Sequence, residues 1–183
     1  MKRFLVGMIV GLGISAAAAA GTVEELKIAA ERGDPWAQTM LGVRWATGKD
    51  IGVDPVEAVE WFRKAAEQGY ACGQYNLGYM YFNGLGVIKD YREAANWYRR
   101  AADQGYVNAQ MNLGNMYALG QGVPHDMAEA FFWLTLAASR SQKCIELRDK
   151  AAETLTPAQR EEVRNRCRQW LEYVEKRNIQ HGE

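Results

Sequence analysis

The chain has 183 residues, of which 48% are hydrophobic and 11% aromatic, which is enough apolar surface for one folded domain and argues against disorder. Its 22 Lys and Arg residues balance its 22 Asp and Glu residues. A chain without net basic charge has no bulk field that attracts nucleic acid or an anionic membrane surface. We therefore expect no nucleic-acid partner.

The N-terminal segment, residues 1–20, has the features of a secretory signal peptide. Lys2 and Arg3 give it a positive start, an apolar run follows from Phe4 to Ile14, and Ala18-Ala19-Ala20 resembles a cleavage site. The alternative is an uncleaved membrane anchor, but the apolar run is short for a membrane span. We expect a Sec-type signal peptide and a mature protein that begins near Gly21, with no membrane span, in the periplasm or outside the cell.

A pattern of small, apolar and acidic residues recurs three times at a spacing of 36 residues, which is typical of stacked helical repeats. The middle copy contains Leu77-Gly78, Gly84-Leu85-Gly86-Val87, Asp90, Ala94, Trp97, Ala101-Ala102 and Gly105-Tyr106. The copy before it contains Leu41-Gly42, Gly48, Asp54, Ala58, Trp61, Ala65-Ala66 and Gly69-Tyr70. The copy after it contains Leu113-Gly114, Gly120, Asp126, Ala130, Trp133 and Ala137-Ala138.

Each copy predicts two antiparallel helices, with repeat 1 over residues 35–70, repeat 2 over 71–106 and repeat 3 over 107–142. The glycine after each repeated leucine, such as Gly78, is expected to let the second helix approach closely, because a glycine inside a helix otherwise costs about 1 kcal/mol relative to alanine. An aspartate followed three residues later by a glutamate, as in Asp90 and Glu93, starts each second helix. We interpret these carboxylate pairs as capping boxes and not as general acid and base partners.

Both ends of the array match only part of the pattern. In residues 21–34, Ala29-Ala30 and Gly33 lie 36 residues before their counterparts in repeat 1, which predicts an N-terminal capping helix. Residues 143–177 predict a C-terminal capping hairpin, with Thr156 as the N-cap and Pro157 as the first residue of its second helix. Residues 178–183 are expected to form a frayed tail.

These residues at these intervals resemble the Sel-one-like repeat (SLR) family, which is related to tetratricopeptide repeats. The resemblance covers about Thr22 to Gln142. It implies an all-α fold, a right-handed alpha-solenoid of three SLR/TPR-like helical hairpins with an N-terminal half-repeat and a C-terminal helical cap. Family members generally act as adaptors for other proteins, and secreted bacterial members are associated with envelope signalling, host contact or neutralising a toxic effector. The resemblance implies no catalytic residues.

Few residues could carry chemistry. His125 and His181 have no partners at metal-ligand spacing. The glycine pairs at Gly84-Leu85-Gly86 and Gly120-Gln121-Gly122 follow a predicted helix, whereas a dinucleotide-binding loop follows a strand, so we interpret them as turns. We expect no enzymatic activity, no cofactor and no metal site.

The cysteines offer one possible covalent crosslink. Cys144 and Cys167 lie equally far from the predicted turn at Leu155-Thr156, so antiparallel helices would bring them opposite each other. An exported protein permits a disulfide between them. The alternative is two buried free thiols, and Cys72 would stay unpaired.

A candidate binding surface follows from the first helices, which line the concave surface in a solenoid of this kind. The positions opposite the leucine stripe combine aromatic residues with small and amide residues, the composition of a protein-binding hot spot. The alternative is that several of these aromatic residues pack between neighbouring first helices. The positions are Trp36, Thr39, Val43, Ala46 and Thr47, then Cys72, Tyr75, Tyr79, Phe82 and Asn83, then Asn108, Met111, Asn115, Ala118 and Leu119.

The sequence thus predicts a non-catalytic, monomeric adaptor or regulator in the bacterial envelope that binds a protein or peptide partner in its concave groove. The alternative is an inhibitor or immunity protein that neutralises a toxic effector enzyme by occupying its active site.

Overall fold

The computed structural model describes residues 22–138 and 142–181, with side chains up to residue 177. The signal peptide predicted over residues 1–20 lies outside the described residues. Within them, the backbone forms helices and no strand. The helices are α1 (Val23–Glu31), α2 (Pro35–Thr47), α3 (Pro55–Glu67), α4 (Ala71–Asn83), α5 (Tyr91–Asp103), α6 (Val107–Leu119), α7 (Met127–Ala138), α8 (Gln142–Glu153) and α9 (Pro157–His181). None of the helices in this described part is both long and apolar enough to span a membrane.

Aspartate side chains start the second helix of each hairpin, as predicted. Each accepts hydrogen bonds from the backbone N–H groups two and three residues later, over 2.8–3.1 Å. The second hydrogen bond of the predicted capping box, in which the N-cap N–H donates to the glutamate side chain, is replaced by another bond. The aspartate's own N–H donates to a carbonyl at the end of the preceding helix and not to the glutamate, over 2.9–3.0 Å, in the pairs Asp54 with Trp45, Asp90 with Tyr81 and Asp126 with Tyr117. This bond ties each second helix to the first helix of its own hairpin.

The glycine-containing segments between these helices are turns, as predicted. Gly84 and Gly86 both have φ of 69°, a left-handed conformation that glycine adopts without a steric penalty. A Cβ on Gly86 would lie 2.1 Å from the carbonyl oxygen of Pro55. The turn after α4 therefore rests directly on the start of α3, and a side chain at Gly86 would separate them.

The helices form two compact units, and the boundary falls within α5 after Ala101. In the first unit α1 packs on α2, α2 on α3, and α3 on α4. One apolar cluster of this unit is centred on Phe62, Leu77 and Met80, which are fully buried. A second cluster joins Leu26 of α1 to Leu41 of α2. The N-terminal capping helix therefore covers the first repeat with apolar side chains.

Three glycines let the two helices of a hairpin approach closely, as the sequence predicted. A Cβ on any of them would lie less than 3 Å from a buried side chain of the facing helix. The distances are 2.7 Å for Gly42 beside Phe62, 2.9 Å for Gly78 beside Tyr98 and 2.8 Å for Gly114 beside Leu134.

A buried glutamine connects each first helix to the helix before it. All three glutamines are at most 4% exposed. Their side-chain amides donate to a main-chain carbonyl eight residues earlier, over 3.0–3.2 Å, in the pairs Gln38 with Ala30, Gln74 with Ala66 and Gln110 with Ala102. Each bond gives a second donor to a carbonyl near the end of a helix, which also accepts from the N–H of the glycine three residues later.

In the second unit α6 packs on α7, and α7 packs on both α8 and α9. Thr156 caps α9 and forms the predicted capping box with Gln159, with bonds of 2.9 and 3.3 Å. The helix continues to His181, whereas the sequence placed its end near Arg177 and a frayed tail after it. The extension has a simple reason, because no glycine or proline, the residues that disfavour a helix most, occurs between Pro157 and Gly182.

The structure does not contain the predicted Cys144–Cys167 disulfide, because both residues are free buried thiols. Cys144 packs on Ala137 and Ala138. The Cys167 thiol donates to the carbonyl of Phe132 over 3.8 Å. These two points on α7 are roughly 8 Å apart along the helix axis, so the two thiols face α7 at different levels instead of facing each other.

Candidate protein-binding surface

Four of the positions predicted for the binding surface are buried. Thr39 is 0% exposed, Tyr75 is 4% exposed and Cys72 is 6% exposed. Ala46 is also buried. The Tyr75 ring packs on Tyr98 of α5 with 5.7 Å between the ring centroids. These residues belong to the core of the first unit and cannot contact a partner without a rearrangement of that core.

Two further aromatic residues are half-buried and mainly structural. The Phe82 ring lies 5.0 Å from Tyr91 and 6.5 Å from Tyr98, measured between centroids, so it holds the end of α4 against α5. Trp36 packs against the apolar cluster that joins α1 to α2. Truncating either side chain would therefore disturb helix packing as well as any surface.

Val43 and Tyr79 are the predicted positions of the first unit that combine apolar contact with exposure. Both pack against the cluster around Phe62 and Leu77, and both are half-buried. Burial raises the pKa of the Tyr79 phenol, so this group is neutral at physiological pH. The exposed part of this side chain can provide contact area to a ligand.

Two polar side chains lie one helical turn after these residues. The Asn83 amide donates to the carbonyl of Tyr79 over 2.9 Å, and the Thr47 hydroxyl donates to the carbonyl of Val43 over 2.8 Å. Asn83 is exposed and Thr47 is half-buried. We define Val43, Thr47, Tyr79 and Asn83 as the α2–α4 surface. It carries no charged side chain, and the Thr47 hydroxyl already accepts from the Lys49 N–H over 3.4 Å, which leaves the Asn83 side-chain oxygen as the acceptor for a ligand.

The second unit contains the remaining predicted positions, all on α6. Met111 packs with Val107 against the cluster of Ala137, Ala138 and Cys144, so it is held by its own unit. Asn108, Asn115 and Ala118 are half-buried. Leu119 at the end of the helix is 66% exposed.

The residues that could carry other chemistry are dispersed. No group of three or more His, Cys, Asp or Glu side chains in the described part of the chain is placed to hold a metal ion. His125 is exposed in the turn before α7. Burial raises the pKa of the Cys167 thiol to about 11, so this thiol is protonated and unreactive at neutral pH.

Comparison with known proteins identifies the repeats. The family model described as Sel1 repeat matches residues 37–70, 73–106 and 107–141. No curated protein matches the chain. Among solved structures, a Sel1 repeat protein from Oxalobacter formigenes is 37% identical, with a TM-score of 0.64, over 70% of this chain and 97% of that one.

Two further solved structures are similar. The c5321 protein, a protective antigen of uropathogenic Escherichia coli with an SLR fold, is 38% identical with a TM-score of 0.66 over 76% of this chain. This chain covers only 34% of the length of that protein. Cysteine rich protein B of Helicobacter pylori shares the fold at 22% identity, with a TM-score of 0.56, over 70% of this chain and 98% of that one.

These similarities confirm the resemblance seen in the sequence and the all-α fold of helical hairpins. Three copies of the family's repeat account for more than half of the chain. The chain therefore belongs to the Sel1 repeat family, whose repeats generally serve as protein–protein interaction modules.

Proposed function

We propose that the protein is a non-catalytic adaptor or regulator of the bacterial envelope, periplasmic or secreted, which binds a peptide segment of a partner protein through its first helices. Residues 1–20 support export, because they have the charge, apolar run and small residues of a signal peptide. The c5321 protein of Escherichia coli is a protective antigen, which supports an exposed location for a relative, although this chain spans about a third of that protein.

The proposal rests on Tyr79, the half-buried aromatic residue of the α2–α4 surface. The core cluster below holds the Tyr79 ring, so little side-chain freedom remains to be lost when a partner binds. Tyrosine is enriched among residues that dominate binding energy, because it offers apolar area and a hydroxyl together. Val43 widens the apolar contact, and the side-chain oxygen of Asn83 can accept a hydrogen bond from a peptide backbone.

The absence of charge on the α2–α4 surface favours a partner segment that is apolar or aromatic. A charged side chain placed on Tyr79 and Val43 would lose hydration without gaining an ion pair. An apolar side chain would gain contact area at no such cost. We therefore expect a partner peptide with at least one large apolar residue, flanked by backbone that can donate to Asn83.

The test compares capture by three forms of the mature chain, residues 21–183, from an envelope extract. We expect one partner to bind the wild type and to be lost with Tyr79→Ala, with affinity at least about thirtyfold weaker, the range expected for an interface hot spot. The matched control is Tyr173→Ala, which removes a tyrosine that is 62% exposed on α9. That control should capture the same partner as the wild type.

Circular dichroism melting separates binding from folding. Because Tyr79 is only half-buried, its replacement should lower the melting temperature by only a few degrees. The proposal fails if Tyr79→Ala retains the partner, or if it unfolds under the binding conditions. If the captured partner is an enzyme whose activity falls in proportion to the amount of this protein added, the protein is an inhibitor and not an adaptor.

A further inference from the structure

The second unit contains a cleft that the repeat pattern does not account for. It has a volume of about 440 Å³ and lies between α7, α8 and α9. Phe131 and Ala152 provide apolar walls, and three arginines line it, one from α8 and two from α9. A cleft of this size is large enough for one or two side chains of a peptide.

The arginines of this cleft are incompletely neutralised. Arg160 and Arg164 lie one turn apart on the same face of α9, where two positive charges repel each other. Arg164 approaches Glu161 only at 3.6 Å, and the same carboxylate also accepts from Arg168 at 3.2 Å. Among the described residues, Arg160 makes no ion pair.

Arg148 faces the cleft from α8, and its guanidinium group is paired with only one carboxylate oxygen. Its Nε and Nη2 atoms donate to a single oxygen of the adjacent Asp149, over 2.8 and 2.7 Å. Glu153 is the other acidic residue that lines the cleft. With Glu161 and the Arg168 that shares it included, four arginines face three carboxylates, which leaves a net charge of +1, so one additional negative charge would neutralise the cleft.

We propose that this cleft binds a carboxylate group of an acidic peptide segment in a protein partner. The guanidinium groups of Arg160 and Arg164 donate in pairs to the two carboxylate oxygens, the geometry that arginine forks favour. Phe131 and Ala152 contact the aliphatic part of the acidic residue. A singly charged carboxylate matches the net charge of the cleft, whereas a doubly charged phosphate would also face Asp149 and Glu153.

The site is separate from the α2–α4 surface and does not depend on the function proposed for it. The carboxylate could belong to a Glu or Asp side chain or to the end of a chain. Both sources have the same chemistry and differ only in their position in the peptide, so one pair of probe peptides distinguishes them.

The experiment measures fluorescence anisotropy of labelled octapeptides added to the mature chain. One peptide has four glutamates and an amidated end, a second has four glutamines and an amidated end, and a third has four glutamines and a free carboxylate end. We expect the glutamate peptide to bind at least about tenfold more tightly than the amidated glutamine peptide. Selective binding of the third peptide would instead assign the site to a chain end, which also supports the proposal.

Variants locate the site. The double variant Arg160→Gln, Arg164→Gln should weaken binding of the carboxylate peptide at least about tenfold, whereas Glu153→Gln should strengthen it severalfold by removing a competing negative charge. The charge-matched control is Lys143→Gln, Lys176→Gln, which removes two exposed positive charges of α8 and α9 that do not line the cleft, and should change the affinity less than about twofold. Tyr79→Ala should bind this peptide like the wild type.

Three results would overturn the proposal. The first is equal binding, or no binding, of all three peptides. The second is an equal loss in the cleft variant and the charge-matched control, because bulk charge would then explain the binding. The third is stronger competition by inorganic phosphate than by acetate at the same ionic strength, which would replace the carboxylate with a phosphate group. Circular dichroism of each variant verifies that the fold is retained.

Discussion

The hairpins of the first unit and the C-terminal helices of the second unit are held together by different means. In the first unit, the same contacts recur at every repeat: a glycine against an aromatic ring and a glutamine against a main-chain carbonyl. In the second unit, α8 and α9 contribute small buried residues, among them Cys144, Ala151 and Cys167. An ion pair joins Arg166 of α9 to Glu129 of α7.

The glutamate that recurs near the start of each second helix illustrates this difference. Glu57 accepts a hydrogen bond from the indole of Trp61 over 2.9 Å within α3. Glu129 occupies the same position of the last repeat but pairs with Arg166, because α9 lies against α7. The indole of Trp97 in the middle repeat has no hydrogen-bond partner within the part of the chain that the structure describes, so this contact already varies within the array. The ion pair beside α9 in addition depends on Arg166, a residue outside the period.

The largest effect is expected from the core of the repeats. Leu77→Ala removes a side chain that is 0% exposed and should lower the free energy of unfolding by about 2–5 kcal/mol. Val163→Ala in α9 removes fewer carbon atoms from a residue that is 2% exposed and should cost about 1–2 kcal/mol. Urea denaturation measures both. A larger loss for Val163→Ala would contradict the expectation that the larger leucine side chain in the repeat core contributes more to stability.

A smaller effect tests the close approach of the helices. Gly42→Ala places a methyl group 2.7 Å from the ring of Phe62, which is fully buried and cannot move aside. The overpacking should cost about 2 kcal/mol, after the helix propensity gained by alanine. The matched control is Gly52→Ala, where a Cβ meets no atom within 4 Å. Thermal melting should show no loss for this control, and an equal loss in both variants would rule out the packing explanation.

The smallest effect concerns pH and the C-terminal helices. Because burial raises the pKa of Cys167 to about 11, the unfolded thiol ionises first as the pH rises. The folded state then binds more protons, and stability falls between about pH 9 and pH 11, by about 1–2 kcal/mol. We expect Cys167→Ala to flatten this decline relative to the wild type in urea titrations at pH 8 and pH 10.5. Parallel declines would show that other groups cause it.

Much of the fold could be predicted from the sequence because the same residue types recur at the same positions of each repeat. The leucines, glycines and capping aspartates recur every 36 residues, so chance similarity was excluded. The glutamines recur at the same spacing, and that period was the signal that could have identified them. The capping boxes could be predicted only in part, because the choice of acceptor for the Asp54 N–H depends on where the preceding helix ends.

The candidate surface could be predicted less well, for a physical reason. Helical spacing shows which residues share a face, but it does not show how deeply a neighbouring helix covers that face. Tyr75 and Tyr79 are one turn apart on α4, and yet the first is buried against Tyr98 and the second is half-exposed. The cleft between α7, α8 and α9 is lined by arginines of α8 and α9 that have no regular spacing in the chain.

The glutamine bonds have a consequence for how such a protein can change its length. Every first helix needs a carbonyl supplied by the helix before it, and α1 supplies Ala30 to Gln38 although it is only half a repeat. Removing or adding a whole block of 36 residues leaves each donor with an acceptor. A change of length between a carbonyl and its glutamine, such as between Ala30 and Gln38, would strand a buried amide, so changes of length should fall in complete blocks or in the turns within a hairpin.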